Sequence, residues 1–534
     1  MDGEVYASLD KGWKAACRVL FGQELGDLKE YDGWLSEYYP MPSARKSCVS
    51  GKDVFIDSDF YGRTAKFVSS EEAQANPEAL TINEIKDIDS IMQAVSEKWR
   101  YTGNKILGNS AFVSNSDLIM DSQNVLDSAN IYRSSYVHKG NSVRKGAKYV
   151  FSGGYMGISE FVMRAFAVIN SKRIFESSYA LDCSDTYLSH NVSGCSDTIF
   201  CFFVKRKRNC IGNKELPRQQ YLELKKKLLA EIGDELKKNK RFPSLFELYS
   251  QGSPNEYDFK IPERQKPDGP EKIEKAFATT CRMLLGREIS GLEKHAKWLC
   301  RNRAETRDEI SCLGREVIVP TGQIYDFFNP IPRKRLVTYE EGLAFGTEMI
   351  DGKVPGSIRG VVDATSGFAV FTPEVFDGRL RNIIKTPIGY NTIDSYKDID
   401  ATYSENTAFT TMSGNNKNVF GSGWFTESEF CINCYNSINL SRCFEMDTSE
   451  KCSDAYFCHN SEGLVDAMFC FNAKGKRNAI GNLSLDSAKY LETKKALLHQ
   501  FADELEEKGE LSIDIFSMGG KGGKGLWHPK LTRS

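Results

Sequence analysis

The sequence has no apolar run long enough to cross a membrane, and it carries almost no net charge. Its best apolar stretch, near 161–169, is short and contains Arg164, whereas a membrane helix needs about 20 apolar residues. The formal net charge is −2, so strong non-specific attraction to nucleic acid or to an anionic membrane is not expected. The N-terminus lacks the basic and apolar stretches of a secretory signal. We therefore expect a cytoplasmic protein without a membrane partner.

The composition indicates a globular protein with several domains. Charged residues make up 27% and hydrophobic residues 40% of the 534 positions, a balance that is too apolar for a disordered chain. A chain of this length exceeds a single core. The 15 cysteines are numerous, but without an export signal we expect thiols or metal ligands rather than disulfides.

The dominant feature of the sequence is an internal duplication. Residues 183–236 align without a gap with residues 452–505, so that CSDTYLSHN corresponds to CSDAYFCHN and KRKRNCIGN to KGKRNAIGN. At the start of each half, CRVLFGQELGDLKEYDGWL parallels CRMLLGREISGLEKHAKWL. The halves do not match around 91–150 and 343–394. We expect these insertions to be where the two halves differ in their partners.

The duplication predicts two sequential halves. Residues 1–249 form the first half, 250–270 a polar linker, 271–517 the second half and 518–534 a flexible Gly/Lys tail. Each half begins with an amphipathic helical region and ends with a helix that has leucines on one face. Short β-like segments separated by Ser, Asn, Asp and Gly lie between them.

Within the β-like part of the first half, SDTYL at 184–188 recurs as SDTIF at 196–200. A short repeat of strand and polar turn is typical of a solenoid, in which each coil buries its apolar side chains against the next. We predict an α+β tandem duplication in which each half is a short parallel β-solenoid, with flanking N- and C-terminal helices that cap its ends. The alternative is an antiparallel β-sandwich with helices, although few hairpin signals occur.

The cysteine-rich second half offers a candidate metal site. Cys431 and Cys434 form a CxxC, and Cys443 and Cys452 follow; thiolates at such spacing suit zinc or an iron–sulfur cluster. The first half has valine and alanine opposite the CxxC, however, so this motif is not part of the shared frame. Because cysteine also fills stacked inward positions of a solenoid, we favour buried thiols over metal ligands.

Two equivalent histidines offer a candidate for catalysis. His190 and His459 lie near the equivalent Asp185 and Asp454, and a His–Asp pair can serve acid–base chemistry. Such residues more often satisfy turns through hydrogen bonds to the backbone, and no nucleophile stands at an identifiable distance. We assign no catalytic residue and favour a protein that is not an enzyme.

A basic turn precedes the C-terminal helix of each half. Cations beside a glycine turn at a helix N-terminus can hold an anion or a partner. The alternative is a solvated turn, because the phosphate-binding loop pattern is absent from the sequence. The basic residues are Lys205, Lys207 and Arg208 in the first half and Lys474, Lys476 and Arg477 in the second.

The tail contains Lys521, Lys524 and Trp527 within a glycine-rich run. Its lysines could steer a partner onto the tail, with the tryptophan as an anchor. It could equally be a frayed end.

The run CSDTIFCFFVKRKRNCIGNKELPRQQYLELKKKLL resembles a cysteine-punctuated motif of uncharacterised archaeal and candidate-phylum bacterial proteins. In that group, short strands also lead through a basic turn into a Tyr-containing helix. The resemblance implies an architecture and no activity. The second half departs from the pattern at Ala479, where the first half has Cys210.

The sequence therefore predicts a non-enzymatic binding or scaffold protein with a protein partner in a larger cytoplasmic assembly. One alternative is an RNA- or ribosome-associated factor that uses the basic turns and the tail. Another is a metal- or redox-active protein that uses the cysteine-rich second half. The sequence does not define the oligomeric state.

Overall fold

A computed structural model describes residues 2–39, 41–58, 60–75, 77–85 and 88–519. Within these residues, none of the helices combines the length and the hydropathy of a membrane span. The chain forms two compact units, each assembled from three stretches. Unit 1 comprises the chain up to Pro42, Asn104–Gln265 and Glu305–Val375; unit 2 comprises Ser43–Gly103, Lys266–Ala304 and the chain from Phe376.

The helices are short apart from one at the start and one at the end of each half. They are α1 (Asp2–Phe21), α2 (Asp32–Leu35), α3 (Ser70–Ala75), α4 (Ile88–Lys98), α5 (Arg218–Asn239), α6 (Leu245–Leu248), α7 (Glu271–Leu285), α8 (Ala296–Leu299), α9 (Tyr339–Phe345), α10 (Ile358–Thr365) and α11 (Ser487–Lys508). Single 3₁₀ turns cover Leu28–Tyr31, Ile82–Glu84, Leu292–His295, Gln323–Phe328 and Arg333–Arg335.

The strands of the first half are mostly four residues long. They are β1 (Ser43–Lys46), β2 (Asp53–Ile56), β3 (Phe67–Ser69), β4 (Tyr101–Gly103), β5 (Ile106–Leu107), β6 (Ala111–Ser114), β7 (Asp117–Met120), β8 (Gln123–Leu126), β9 (Ala129–Tyr132), β10 (Ser135–Arg144), β11 (Lys148–Gly157), β12 (Glu160–Ile169), β13 (Lys172–Phe175), β14 (Ser178–Leu181), β15 (Ser184–Tyr187), β16 (His190–Ser193), β17 (Ser196–Ile199), β18 (Arg208–Ile211) and β19 (Lys214–Glu215).

The second half repeats this pattern of short strands. They are β20 (Glu305–Ile310), β21 (Glu316–Thr321), β22 (Val375–Asp377), β23 (Arg381–Ile384), β24 (Ile388–Tyr390), β25 (Ile393–Tyr396), β26 (Asp400–Thr402), β27 (Glu405–Ala408), β28 (Thr411–Gly414), β29 (Lys417–Phe420), β30 (Gly423–Thr426), β31 (Glu429–Tyr435), β32 (Ser441–Asp447), β33 (Ser453–His459), β34 (Val465–Met468), β35 (Arg477–Ile480) and β36 (Leu483–Ser484).

Parallel pairing at a spacing of 12 residues builds two 15-stranded sheets, β5–β19 and β22–β36. In the first sheet Lys172 pairs with Ser184, and Ser184 pairs with Ser196. In the second, Glu405 pairs with Lys417. The predicted 12-residue recurrence is confirmed, as is a duplicated α+β arrangement with flanking helices. The antiparallel sandwich is wrong, because only the last pair of each sheet is antiparallel.

The backbone of these sheets turns at every third residue. Between 182 and 212, each third residue has φ between 48° and 62°. Asn, Asp and Gly tolerate this left-handed conformation, which accounts for their frequency here. Leu188, Phe200 and Phe203 also adopt it, at about 1–2 kcal/mol each. The burial of these three side chains and the pairing on both sides offset that strain.

A column of hydroxyl and thiol groups runs through the interior of unit 1. Ser171 N–H donates to Ser159 Oγ at 3.2 Å, and Cys183 N–H donates to Ser171 Oγ at 2.9 Å. Cys195 N–H then donates to Cys183 Sγ at 3.4 Å. Each cysteine therefore occupies the place of a serine and accepts the same backbone hydrogen bond. The predicted role of cysteine as an inward filler is confirmed for this column, in which Cys183 and Cys195 are both buried.

This column predicts different effects of two small substitutions at Cys183. Cys183→Ser keeps an acceptor for the Cys195 N–H and should change the free energy of unfolding little. Cys183→Ala leaves that buried N–H unpaired, which should reduce stability by about 1–3 kcal/mol. Urea denaturation of both variants tests this. Equal decreases in stability would show that the thiol acts through its volume alone.

The helices that begin each half lie along a side of the sheet and not over its end. Helix α1 contacts β6, β8 and β10–β13, and α7 contacts β25, β27, β29, β31 and β32. Buried Trp13, Cys17 and Leu20 of α1 account for its amphipathic pattern. Helices α5 and α11 contact β18 and β35, near the ends of the sheets. The predicted capping of both sheet ends by helices is therefore wrong for α1 and α7.

Two equivalent segments are exchanged between the units. Residues 43–103 belong to the first half by sequence and to unit 2 by packing, whereas 305–375 do the reverse. Ser69 precedes α3 and Thr338 precedes α9. The hydroxyl of each accepts a hydrogen bond from the N–H of a glutamate, Glu72 or Glu341, at 3.2 Å. The carboxylate of that glutamate in turn accepts the N–H of Ser69 or Thr338. This reciprocal cap shows that the duplication extends through both segments.

The exchange changes the meaning of the predicted boundaries. The halves 1–249 and 271–517 describe the duplication of the sequence, but the compact units interleave. The predicted linker at 250–270 also packs onto unit 1 over much of its length. Asn255 N–H donates to Gly367 O at 2.8 Å, and Arg264 pairs with Glu340 and Glu374 at 2.8 and 2.6 Å.

Candidate functional site: an open basic face on unit 1

His190 of β16 is a buried anchor for an exchanged segment. Its Nε2 accepts a hydrogen bond from Thr372 N–H at 3.0 Å, and its Nδ1 lies 2.7 Å from Ser178 Oγ. Burial lowers the pKa of His190 to about 3, so the ring stays neutral and can accept the backbone hydrogen bond.

His459 of β33 has the same role in unit 2. Its Nε2 accepts a hydrogen bond from Thr102 N–H at 2.9 Å, and its Nδ1 lies 2.8 Å from Asp447 Oδ2. Tyr61 Oη donates to the same carboxylate at 2.9 Å. Both histidines therefore bind a backbone N–H of an exchanged segment, which accounts for their equivalence without catalysis.

The aspartates near these histidines in sequence pair with other residues. Asp185 accepts a hydrogen bond from Arg173 Nε at 3.0 Å and one from Lys225 Nζ at 2.8 Å. Asp454 accepts from Arg442 Nε at 2.9 Å. Asp185 and Asp454 are therefore close to the histidines in sequence, but their carboxylates pair with other side chains.

The four candidate metal ligands of the second half are buried thiols. Cys431, Cys434, Cys443 and Cys452 each donate to the carbonyl two residues earlier, at 3.2–3.5 Å. Burial raises the pKa of all four, to about 12 for Cys452, and a protonated thiol is a poor ligand. In the described part of the chain, the group of side chains that meets metal-binding distances does not include them. Zinc or iron–sulfur binding by these cysteines stays a prediction.

The two basic turns lie at the ends of the two sheets. Lys205 and Arg208 are exposed, while Lys207 Nζ pairs with Glu215 at 2.8 Å. In the second half Lys474 pairs with Glu462 at 3.2 Å. Of the other basic residues of that turn, Lys476 is half-buried and Arg477 is exposed. The tail residues Lys521, Lys524 and Trp527 lie outside the described residues.

Most sides of the unit 1 sheet are covered. Phe151 and Phe175 pack against Trp13 and Phe21 of α1, with ring centroids 5.3 and 5.0 Å apart. On another side, rings of the exchanged segment 305–375 pack on β12 and β14; Phe328 lies 5.0 Å from Phe166. These contacts leave one long side of the sheet without a covering helix or segment in the described residues.

We call that side the open face of unit 1 and define it by three rows of residues. One row follows the register Arg144, Gly157, Ile169, Leu181, and another follows Ser135, Lys148, Glu160, Lys172. The third lies between them in the left-handed conformation. The exposed basic residues of the open face are Arg133, Lys145, Lys148, Lys172, Lys205, Arg206 and Arg208, and its acidic residues are Asp121, Glu160 and Asp182.

The charges on the open face are unbalanced. Glu160 lies 3.5 Å from Lys172, and Asp121 lies 3.9 Å from Arg133. Lys145, Lys148 and Arg206 are exposed, and no ion pair within the described residues involves them. A local positive potential therefore exists on a chain whose formal net charge is −2, since charges of opposite sign lie elsewhere.

An aromatic row borders the open face. Tyr136, Tyr149 and Phe161 stack with centroids 4.7 and 4.8 Å apart. This spacing matches that of neighbouring strands, so each ring contacts the next. No further aromatic ring can insert between them. The three stacked rings are half-buried and lie beside the row that contains Lys148 and Lys172.

The corresponding face of unit 2 is balanced in charge. Its row Glu405, Lys417, Glu429 alternates in sign and follows the same register. Lys417 lies 3.3 Å from Glu405, and Lys451 lies 2.6 Å from Glu450. The two units therefore share a scaffold and differ in the charge of the open side.

Comparison with protein-family models, with curated proteins and with solved structures gives no match.

Proposed function

We propose that this chain is a non-enzymatic RNA-binding protein, and that the open face of unit 1 binds the phosphate backbone. The observation that carries the proposal is the excess of exposed cations over carboxylates along one uncovered side of the sheet. Phosphate contacts by Lys and Arg supply most of the affinity of non-specific nucleic-acid binding. Among polyanions of the expected cytoplasmic compartment, RNA offers a backbone long enough to follow the rows.

We also propose that each large sheet is a short β-solenoid. The 12-residue spacing of most parallel pairs, the two strands in each period and the interior column of Ser and Cys support this. In a solenoid neighbouring periods are about 4.8 Å apart, so the seven steps from Asp121 to Arg206 along the open face would extend over roughly 34 Å. A rigid array of that length suits contact with several successive phosphates.

Charge reversal on the open face tests the proposal. The variant Lys145→Glu/Lys148→Glu/Arg206→Glu should weaken binding of a fluorescent single-stranded RNA by at least tenfold in fluorescence anisotropy. It should also reduce the dependence of log K on log salt by roughly 0.7 for each phosphate that the variant no longer neutralises. The matched control is Lys417→Glu/Lys451→Glu on the open face of unit 2, which should bind like the unchanged protein.

Three results would contradict RNA binding by this face. They are affinity that is independent of salt, equally weakened binding in the two variants, and no binding at low salt. The last result would favour the second candidate, a protein scaffold.

The charge-balanced face of unit 2 supports that second candidate. Tyr403 is 53% exposed there, and its ring lies 5.2 Å from that of Tyr390. Tyrosine within polar surroundings is typical of protein interfaces. The same two variants distinguish the candidates, because only the unit 2 variant should then lose a co-purifying protein.

A further inference from the structure

A cluster of three potential metal ligands lies in unit 1, apart from the open face. Asp32 begins α2, Asp127 follows β8, and His138 lies in β10. One ligand atom from each lies within 4.8 Å of the other two, and within the described residues this is the group that meets the distance. The three side chains come from separate elements, so the fold brings them together.

His138 gives the cluster a buried ring nitrogen that has no hydrogen-bond partner among the described residues. Its side chain is 2% exposed, and the nitrogen is Nδ1. That nitrogen lies 4.0 Å from Asp127 Oδ2, while Nε2 lies 3.2 Å from Asp32 Oδ1. An unpaired buried nitrogen reduces stability because it has lost its hydrogen bond to water, and a metal ion between this nitrogen and a carboxylate would remove that penalty.

Lys139 lies at the same carboxylates. Its Nζ is 3.1 Å from Asp32 Oδ1 and 3.6 Å from Asp127 Oδ2, and it also lies 3.9 Å from Met41 Sδ. The ammonium group therefore supplies positive charge to the two carboxylates but does not reach the Nδ1 of His138 within bonding distance.

We propose that Asp32, Asp127 and His138 bind a divalent first-row cation, with Zn²⁺ as the reference ion, in competition with the Lys139 ammonium. One imidazole nitrogen and two carboxylate oxygens are a donor set that Zn²⁺ accepts. The side chain of Asp32 is 51% exposed, which gives the ion access and leaves room for water as a further ligand. Cation binding at this cluster is independent of RNA binding by the open face.

The second half serves as an internal control. Trp34 and Trp298 are equivalent, which places Ala296 opposite Asp32. The strand registers place Ala408 opposite His138 and Lys397 opposite Asp127. The shared frame therefore folds without these ligands, and His138→Ala introduces the residue that the second half already has.

The test is isothermal titration of Zn²⁺ into the full chain carrying Cys48→Ser, since Cys48 is the exposed thiol of the described residues. We expect one site that raises the melting temperature. His138→Ala and Asp127→Asn should each weaken Zn²⁺ binding at least a hundredfold, whereas Lys139→Met should strengthen it at least tenfold. His499→Ala is the matched control, because His499 forms an exposed pair with Asp503 at 2.9 Å.

Two variants of the ligand set keep the test decisive if one fails to fold, which circular dichroism would show. Binding that persists in both His138→Ala and Asp127→Asn would overturn the proposal. Loss of binding in His499→Ala would overturn it as well, because the ion would then occupy the surface. Weaker binding in Lys139→Met would contradict the competition between the ammonium and the metal.

Discussion

Residues 1–265 and 266–534, produced as separate chains, should assemble into a stable one-to-one complex. Each fragment retains a sheet and loses the segment that covers it, because 43–103 packs in unit 2 and 305–375 packs in unit 1. The missing parts include fully buried rings: Trp99 and Tyr101 in unit 2, and Tyr325 and Phe328 in unit 1. Burial of each such side chain contributes about 1.5–3 kcal/mol, so we expect nanomolar affinity or better.

Size-exclusion chromatography with light scattering, followed by native mass spectrometry, measures this assembly. Each fragment alone should aggregate or pair with itself. The segment 43–103 has the same capping arrangement as 305–375, so in the absence of the other fragment it can pack on the sheet of its own half. A first fragment that lacks 43–103 is the control and should not complete the second. Two folded fragments that remain monomeric when mixed would refute the exchange.

Glu445→Gln should stabilise the protein at alkaline pH. Burial raises the pKa of Glu445 to about 8. The equivalent Glu176 has the buried Arg164 as a partner, whereas Glu445 accepts a hydrogen bond from the uncharged Asn433. Because the folded-state pKa exceeds that of the unfolded chain, near 4.3, the folded state holds this proton more tightly. The stability that it contributes is complete below about pH 4 and is lost as the pH rises to about 8.

Over that range the free energy of unfolding of the variant should rise relative to that of the unchanged protein by up to about 5 kcal/mol, at about 1.4 kcal/mol for each pKa unit. In the unchanged protein Glu445 Oε2 accepts a hydrogen bond from Ile515 N–H at 3.0 Å. Glutamine can preserve the contacts of Glu445, because its oxygen can accept the Ile515 N–H and its amide can donate to Asn433. Urea titrations at pH 5, 7 and 9 measure the effect, and exposed Glu427→Gln is the control. Parallel stability profiles for Glu445→Gln and unchanged protein would exclude the assignment.

The repeat of the fold could be predicted from the sequence because it is local. The motif SDT recurs at 184 and 196, and this spacing is the register of the parallel pairs. The exchange could not be predicted, because it changes no local pattern. The backbone N–H groups of Thr102 and Thr372 make the same hydrogen bond to equivalent histidines. The sequence therefore does not indicate which of the two segments packs on which sheet.

The candidate site was found in part. Lys205 and Arg208 were predicted, since they recur in the second half and precede a helix. Lys145 and Lys148 were missed because they lie in the stretch around 91–150, which does not match the second half in sequence. The 12-residue spacing of Lys148, Glu160 and Lys172 was the signal that could have extended the basic turn into a face. The cluster around His138 had no such signal, because Asp32 comes from a distant part of the chain.

The exchange also delays the completion of unit 1 during protein synthesis. The first sheet ends at Glu215, whereas the segment that covers it ends near Val375. At about 5–20 residues per second, translation of the intervening chain takes on the order of ten seconds. Throughout that interval the segment 305–375 is not yet completely synthesised. The rings of Phe166 and Tyr179, which are buried in the finished protein, therefore stay exposed on the nascent chain. Transiently exposed apolar surface of this kind promotes aggregation, so a ribosomal pause between 215 and 375 should lower the yield of folded protein.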